Sequence, residues 1–218
     1  SDYELNEKLF EYYANNNFFD SFVFKRNKFN KYISVLPTTL THLIFGYWFN
    51  QDVSILPSSL THLIFGYSFD KDVSELPPTL THLTFGTHFD KDVSILPSSI
   101  THLIFGYMFN KDVSNLPPFL THLTFGAHFD KDVSKLPPNL THLTFGYYFN
   151  QQCNIPPNIK YLKLDCNNSY IINSLPNSVI ELKLDYKFNL EINNLPTSIK
   201  ILRIHKKSDY NMDLNCLP

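Results

Sequence analysis

The histidine at position 42 returns at 62, 82, 102, 122 and 142, and a fixed arrangement follows it each time. His42 is followed by Leu43, Ile44, Phe45 and Gly46, then by Phe49 and by the Leu56-Pro57 pair that leads into the next copy. Self-similarity at a period of 20 residues points to stacked coils, because a unit that small buries its apolar face only against its neighbours. The six glycines of the chain are Gly46, Gly66, Gly86, Gly106, Gly126 and Gly146, one per copy. They belong to the unit and not to loops.

Within a unit, Leu40, Leu43 and Phe45 form an L-x-x-L-x-F segment. Leu43 and Phe45 alternate with His42 and Ile44, the period of a short strand with one buried face. Gly46 is expected to end that strand in a turn conformation that a side chain resists. Phe49, Val53 and Leu56 supply three further inward columns. Pro37, Pro57, Pro77, Pro97, Pro117 and Pro137 keep the return arm out of any sheet ladder and predict an extended, polyproline-like and helix-poor arm. Weaker copies continue the strand at Ile159, Leu162 and Leu164, at Val179, Leu182 and Leu184, and at Ile199, Leu202 and Ile204; Phe19, Phe22 and Phe24 imitate it upstream.

These registers predict a mainly β, right-handed solenoid of about ten short parallel strands, with a sheet about 43 Å long at roughly 4.8 Å per strand. In residues 3–15, Leu5, Leu9, Tyr12 and Tyr13 fall near one helical stripe, the pattern of an amphipathic helix capping the first coil. The expected organisation is a capping helix over 1–18, a solenoid over 19–204, and an incomplete repeat or cap over 205–218.

The wording L-P-x-S-L-T-H-L-x-F-G-x-x-F-N/D resembles leucine-rich repeats at the short end of their range and, more closely, the FNIP repeats of social amoebae and giant viruses. The resemblance runs from about residue 19 to 218. Repeats of this family often follow an F-box-like segment, and the stretch before Phe19 does not look like one. The resemblance implies a non-enzymatic protein-interaction module, including viral or amoebal host-interaction candidates.

Composition narrows the function classes. A formal charge of −2 argues against nucleic acid or an anionic membrane as partner, and no apolar run reaches the roughly 18 residues of a membrane span. Cys153, Cys166 and Cys216 have no metal-ligand spacing and are expected to be reduced thiols, which suits the cytoplasm or another reducing compartment, such as that of an infected host cell. The D-x-D pairs Asp70/Asp72, Asp90/Asp92 and Asp130/Asp132 could suggest calcium. However, Asn50, Asn110 and Asn150 replace the first acid and Lys71, Lys91, Lys111 and Lys131 stand beside it, so turn capping is the expected role. No catalytic residue, metal site or cofactor is assigned. A catalytic group is needed once, in a unique cleft, and no such constellation rises above the repeat.

The outward strand positions are the candidate binding face. His42, His62, His82, His102, His122 and His142 should form a straight, mostly neutral ladder, either self-satisfied or ligand-contacting. On the last three strands the ladder becomes Tyr161, Glu181 and Ile201, beside a basic column of Lys163, Lys183 and Arg203 that would suit an acidic protein partner. At the C-terminal end Ile201, Arg203, His205, Lys206 and Met212 are the candidate contacts of a homodimer, since an uncovered last coil leaves backbone groups and apolar side chains without neighbours. The competing class is a structural protein whose repeats stack between chains.

Overall fold

The computed structural model describes residues 21–23, 30–31, 33, 36–185, 188–192 and 195–205. The expected capping helix over 1–18, and Lys206, Met212 and Cys216, lie outside the described residues.

Each of the six copies of H-L-I/T contributes one strand, and the weaker copies at either end contribute four more. In chain order these are β1 (Ser21–Val23), β2 (His42–Ile44), β3 (His62–Ile64), β4 (His82–Thr84), β5 (His102–Ile104), β6 (His122–Thr124), β7 (His142–Phe145), β8 (Tyr161–Leu164), β9 (Glu181–Leu184) and β10 (Ile201–Ile204). They form one sheet in sequence order. All neighbours are parallel, and the register puts each residue beside its own copy: His42 beside His62, Leu43 beside Leu63, Phe22 beside Leu43. The fold is a leucine-rich-repeat-like parallel β-solenoid.

The core is a set of columns. Leu43, Leu63, Leu83 and Leu103 are buried, as are the Phe45, Phe49 and Val53 columns. Within a coil the two phenylalanines stack at 3.7–4.1 Å between ring centroids. Between coils, equivalent rings stand 5.5–5.8 Å apart in the Phe45 column and 6.0–6.1 Å apart in the Phe49 column. On the other side of the sheet the histidine rings are 3.9–4.1 Å apart. Equivalent points thus advance less per coil on the histidine side than in the core, with the usual strand spacing of about 4.8 Å in between. The coils fan, and the histidine face is the concave one.

The helix-poor arm carries one regular feature: the Leu-Pro pair leads into a tight turn, in which the N–H of Leu60 donates to Pro57 O at 3.1 Å and that of Leu80 to Pro77 O at 3.1 Å. Proline suits this position because the turn needs its carbonyl and not an N–H. The glycines have a different reason from the one expected. At Gly66, Gly86, Gly106, Gly126 and Gly146 the backbone is not left-handed, but a Cβ there would overlap the carbonyl of the glycine one coil earlier. Glycine is required by the close approach of successive coils.

Among the described residues the arms are nearly helix-free, the exception being α1 (Ser169–Asn173), one short helix in the coil between β8 and β9. Asn168 caps it, its side-chain oxygen accepting from Ile171 N–H at 3.2 Å, and Ile171 and Ile172 are buried in this coil, which lacks both the Gly and the second Phe of the repeat.

Phe89 is fully buried between Phe69 and Phe109. Phe89→Ala should therefore lower unfolding free energy by about 3–5 kcal/mol in urea titration, with the loss spreading to adjacent coils; a loss under about 1 kcal/mol on the same scale would contradict this packing. Gly86→Ala tests the glycine contact. It should cost at least about 1–3 kcal/mol, as overpacking does, whereas Ala127→Gly in the half-buried turn should be nearly silent.

Candidate functional site

The concave face is built by the strands' outward positions. Along it the six imidazoles form one continuous stack, with interplanar angles of 12–16°, and Tyr161 extends it with a ring 4.3 Å from His142. Each ring is held by the threonine before it. Thr61 Oγ1 lies 2.9 Å from His62 Nδ1 and 3.1 Å from Thr41 O, and Thr81, Thr101, Thr121 and Thr141 repeat the arrangement. Both the stack and the threonine bridge are internal, which is why the unit can be copied without change.

The stack also controls charge. Burial, and then the neighbouring imidazoles, push His62, His82 and His122 down to about 4. Burial lowers His102 and His142 as well. These shifts keep His62, His82, His102, His122 and His142 neutral at pH 7.

The acidic edge is structural too, and its reach is longer than a local turn cap. Asn50 Oδ1 accepts from Asp70 N–H at 2.9 Å, Asp70 Oδ1 from Asp90 N–H at 3.0 Å, Asp90 Oδ1 from Asn110 N–H at 2.8 Å, and Asn110 Oδ1 from Asp130 N–H at 3.0 Å. This column ties each coil to the next. Lys91 and Lys111 bridge back to Asp70 and Asp90 at 2.9 Å. The second acid of each D-x-D pair does cap its own turn. Ser54, Ser74, Ser94, Ser114 and Ser134 donate through N–H and hydroxyl to Asp52, Asp72, Asp92, Asp112 and Asp132, which holds those carboxyls below their ordinary value. Among the described residues no group of three or more His, Cys, Asp or Glu is arranged to hold a metal ion.

The register brings Tyr161, Glu181 and Ile201 into the histidine column and Lys163, Lys183 and Arg203 into the next. Part of that basic column is engaged internally. Lys163 Nζ lies 2.6 Å from Asp165 Oδ2 and 3.9 Å from Asp185 Oδ2, and Arg203 Nε donates to Glu181 Oε1 at 2.6 Å. Asp165 and Asp185 stand where earlier coils have glycine. Burial raises Asp165 to about 6 against the pull of Lys163, with Asp185 adding to the rise. Cys153 and Cys166 are free, buried thiols pushed up to about 11 and about 12 by burial, far from thiolate chemistry. Of the candidate dimer residues, Ile201 is exposed, and Arg203 and His205 lie at the last described coil.

A third surface, the rim after each strand, was not among the expected sites. Tyr47, Trp48, Tyr107, Met108, Tyr147 and Tyr148 are exposed by 38–51%. His88 and His128 do not extend the ladder but lean on this rim, 4.4 Å from Tyr67 and 4.7 Å from Tyr107. The signal was present in the repeat itself. The position of Trp48 reads Trp, Ser, His, Met, His and Tyr through the six copies, while its neighbours at Phe45 and Phe49 never change.

The FNIP Repeat family matches residues 29–68, 49–88, 72–108, 91–126, 132–167, 151–187 and 167–207. Among solved structures, the chain is similar to CroV588 of a giant virus (CroV), described as a novel circular LRR protein, with 38% sequence identity and a TM-score of 0.74. The similarity covers 91% of this chain and 35% of that one, so the chain spans about a third of its length. No curated protein matches significantly.

Acid should destabilise the fold through the ladder. The folded values near 4 lie below the ordinary 6.5, so the unfolded chain takes up more protons between them. Stability is then unaffected above about pH 6.5 and falls as pH drops from 6.5 through 4. Asp165, raised to about 6, acts in the opposite sense but is one group against five. Urea midpoints at pH 7, 5.5 and 4.5 should fall in order, and His82→Gln/His102→Gln should flatten the trend; an equal slope in that variant would remove the ladder as its cause.

Proposed function

The chain belongs to the FNIP-repeat family, and we propose that it is a non-enzymatic protein-interaction scaffold that offers its sheet face and rim to a protein partner. Repeat solenoids of this kind are typical interaction modules. The observation that carries the reading is the division of labour within the repeat. The Leu43, Phe45, Phe49 and His42 columns, which do not vary through the six copies, are buried or stacked on their own copies, whereas the Trp48 position, which varies, is exposed at Trp48, His88, Met108 and Tyr148. A side chain under only structural demand would repeat like the rest.

The concave face remains a candidate contact surface on this reading, with His42 to His142 as a neutral wall and Tyr161, Lys163, Glu181, Lys183 and Arg203 as its charged end. A viral or amoebal host protein is the class of partner the family suggests. The test compares tagged wild-type chain with Trp48→Ala/Tyr107→Ala/Tyr148→Ala in affinity purification from the native host. One protein recovered with the wild type and lost with the variant supports the scaffold; identical recovery from both removes these positions from the interface.

A second reading, self-assembly, is favoured by the fanning of the coils and by the circular form described for CroV588. Curved coils can continue from one chain into the next until a ring closes, and Ile201, Arg203 and His205 would lie at such a junction. Light scattering at micromolar concentration separates the two. A particle of 25.4 kDa at every concentration supports the scaffold, and a concentration-dependent multiple of it supports assembly.

A further inference from the structure

We propose that Asp165 and Asp185 form a proton-sharing pair that locks the coil between β8 and β9, α1 included, and loosens it when that proton leaves. This is a regulatory device, separate from the scaffold's contact surfaces and independent of its partner.

The pair arises where the repeat changes. Six coils carry glycine after the strand, and the next two carry Asp165 and Asp185. Parallel register sets Leu164 beside Leu184, so the carboxylates that follow them are neighbours one coil apart. Both are largely shielded, with side chains exposed by 24% and 23%. Their backbones are tied into the sheet: Asp165 N–H donates to Phe145 O and Asp185 N–H to Leu164 O, each at 3.0 Å. The chain cannot carry the two carboxylates apart without breaking these bonds.

Charge does not balance here. Lys163 Nζ reaches both carboxylates, at 2.6 Å and 3.9 Å, and one ammonium offsets one of two negative charges. The coil before presents Gly146, the adjoining Cys166 is an uncharged thiol, and Lys183 is exposed beside Lys163 in the outward column. His205 takes the next place in the column, two coils from Asp165. Among the described residues, Asp165 Oδ1 is also buried without a hydrogen-bond partner.

Two ionised carboxylates only accept, so neither can satisfy the other. One proton corrects both defects. It makes one carboxyl a donor to the other and leaves a single negative charge for Lys163. Burial first, then the carboxyl–carboxyl hydrogen bond and the charge of Asp185, lift Asp165 to about 6 against Lys163.

Loss of the proton has a defined place to act. Asp165 opens the coil in which Cys166, Asn168, Ile171 and Ile172 are buried and Asn168 caps α1. Relief turns the Asp165 carboxylate out into water at the start of that coil. A folded value above the ordinary 3.8 gives stability that is full below 3.8 and lost as pH rises through about 6. This is the opposite sense to the histidine ladder.

The test is hydrogen exchange with mass spectrometry on the full chain at pH 5 and 7.5, corrected for intrinsic amide rates. Protection over residues 165–174 should fall about three- to tenfold at the higher pH. Asp165→Asn replaces the shared proton by amide hydrogens and should keep the wild-type pH 5 protection at both values. Asp165→Gly restores the repeat and removes the pair, and should show no pH step whatever its absolute protection. Unchanged wild-type protection, a fall of equal size over β3–β6, or a wild-type step in either variant would overturn the inference.

Discussion

Every residue in the regular part of this solenoid has its own copy one coil away, at a distance set by parallel hydrogen bonding between strands. This in-register stacking decides which side chains a repeat can tolerate. Phenylalanine and leucine gain from meeting themselves, because identical shapes stack without gaps. Asn50 and its equivalents gain as well, since a side-chain oxygen on one coil can accept the backbone N–H of the next. Glycine is the limiting case: at Gly66 and its successors the coils approach so closely that only hydrogen fits. A charge away from the exposed edge is what the arrangement resists repeating, as like charges about 5 Å apart repel.

The polar columns show three answers to that restriction. The histidines repeat by giving up their charge, and burial and stacking hold them neutral. The Asn/Asp column dilutes its carboxylates with amides and offsets those at Asp70 and Asp90 with a lysine from the next coil. The Asp52 to Asp132 column keeps its charge at the exposed edge, where each carboxylate is spent on a serine two residues on. Where the repeat decays, the restriction becomes visible as a cost. Asp165 and Asp185 stack in the old glycine column, and among the described residues one oxygen of Asp165, Oδ1, is buried without a hydrogen-bond partner.

Against this background the rim differs in kind. Tyr47, Trp48, Met108, His128 and Tyr148 are held in place by the same coil-to-coil backbone ladder, yet the stacking does not dictate their identity. Large, weakly polar side chains on a rigid and exposed edge are the composition of contact surfaces. The concave wall has the opposite character. It is uniform and internally bonded, and its charged end is partly neutralised by Lys163–Asp165 and Arg203–Glu181.

The sequence by itself determined the solenoid, its strand positions and its core columns, because a 20-residue repeat with alternating Leu43 and Phe45 has a single way to bury both. It also determined that the histidines line one face, since strand alternation assigns them there. Only the tertiary structure decided why glycine recurs, because a φ preference and a close approach between coils leave the same mark in sequence. The turns opened by Pro57, the reach of Asn50 to the following coil, the helix at Ser169–Asn173 and the engagement of Lys163 and Arg203 likewise depend on distances between coils. So does the curvature, since a strict period fixes which residues stack but not whether equivalent points advance by 4 or by 6 Å per coil. That difference is set by how thick the phenylalanine layer is compared with the imidazole layer, a property of packing in three dimensions.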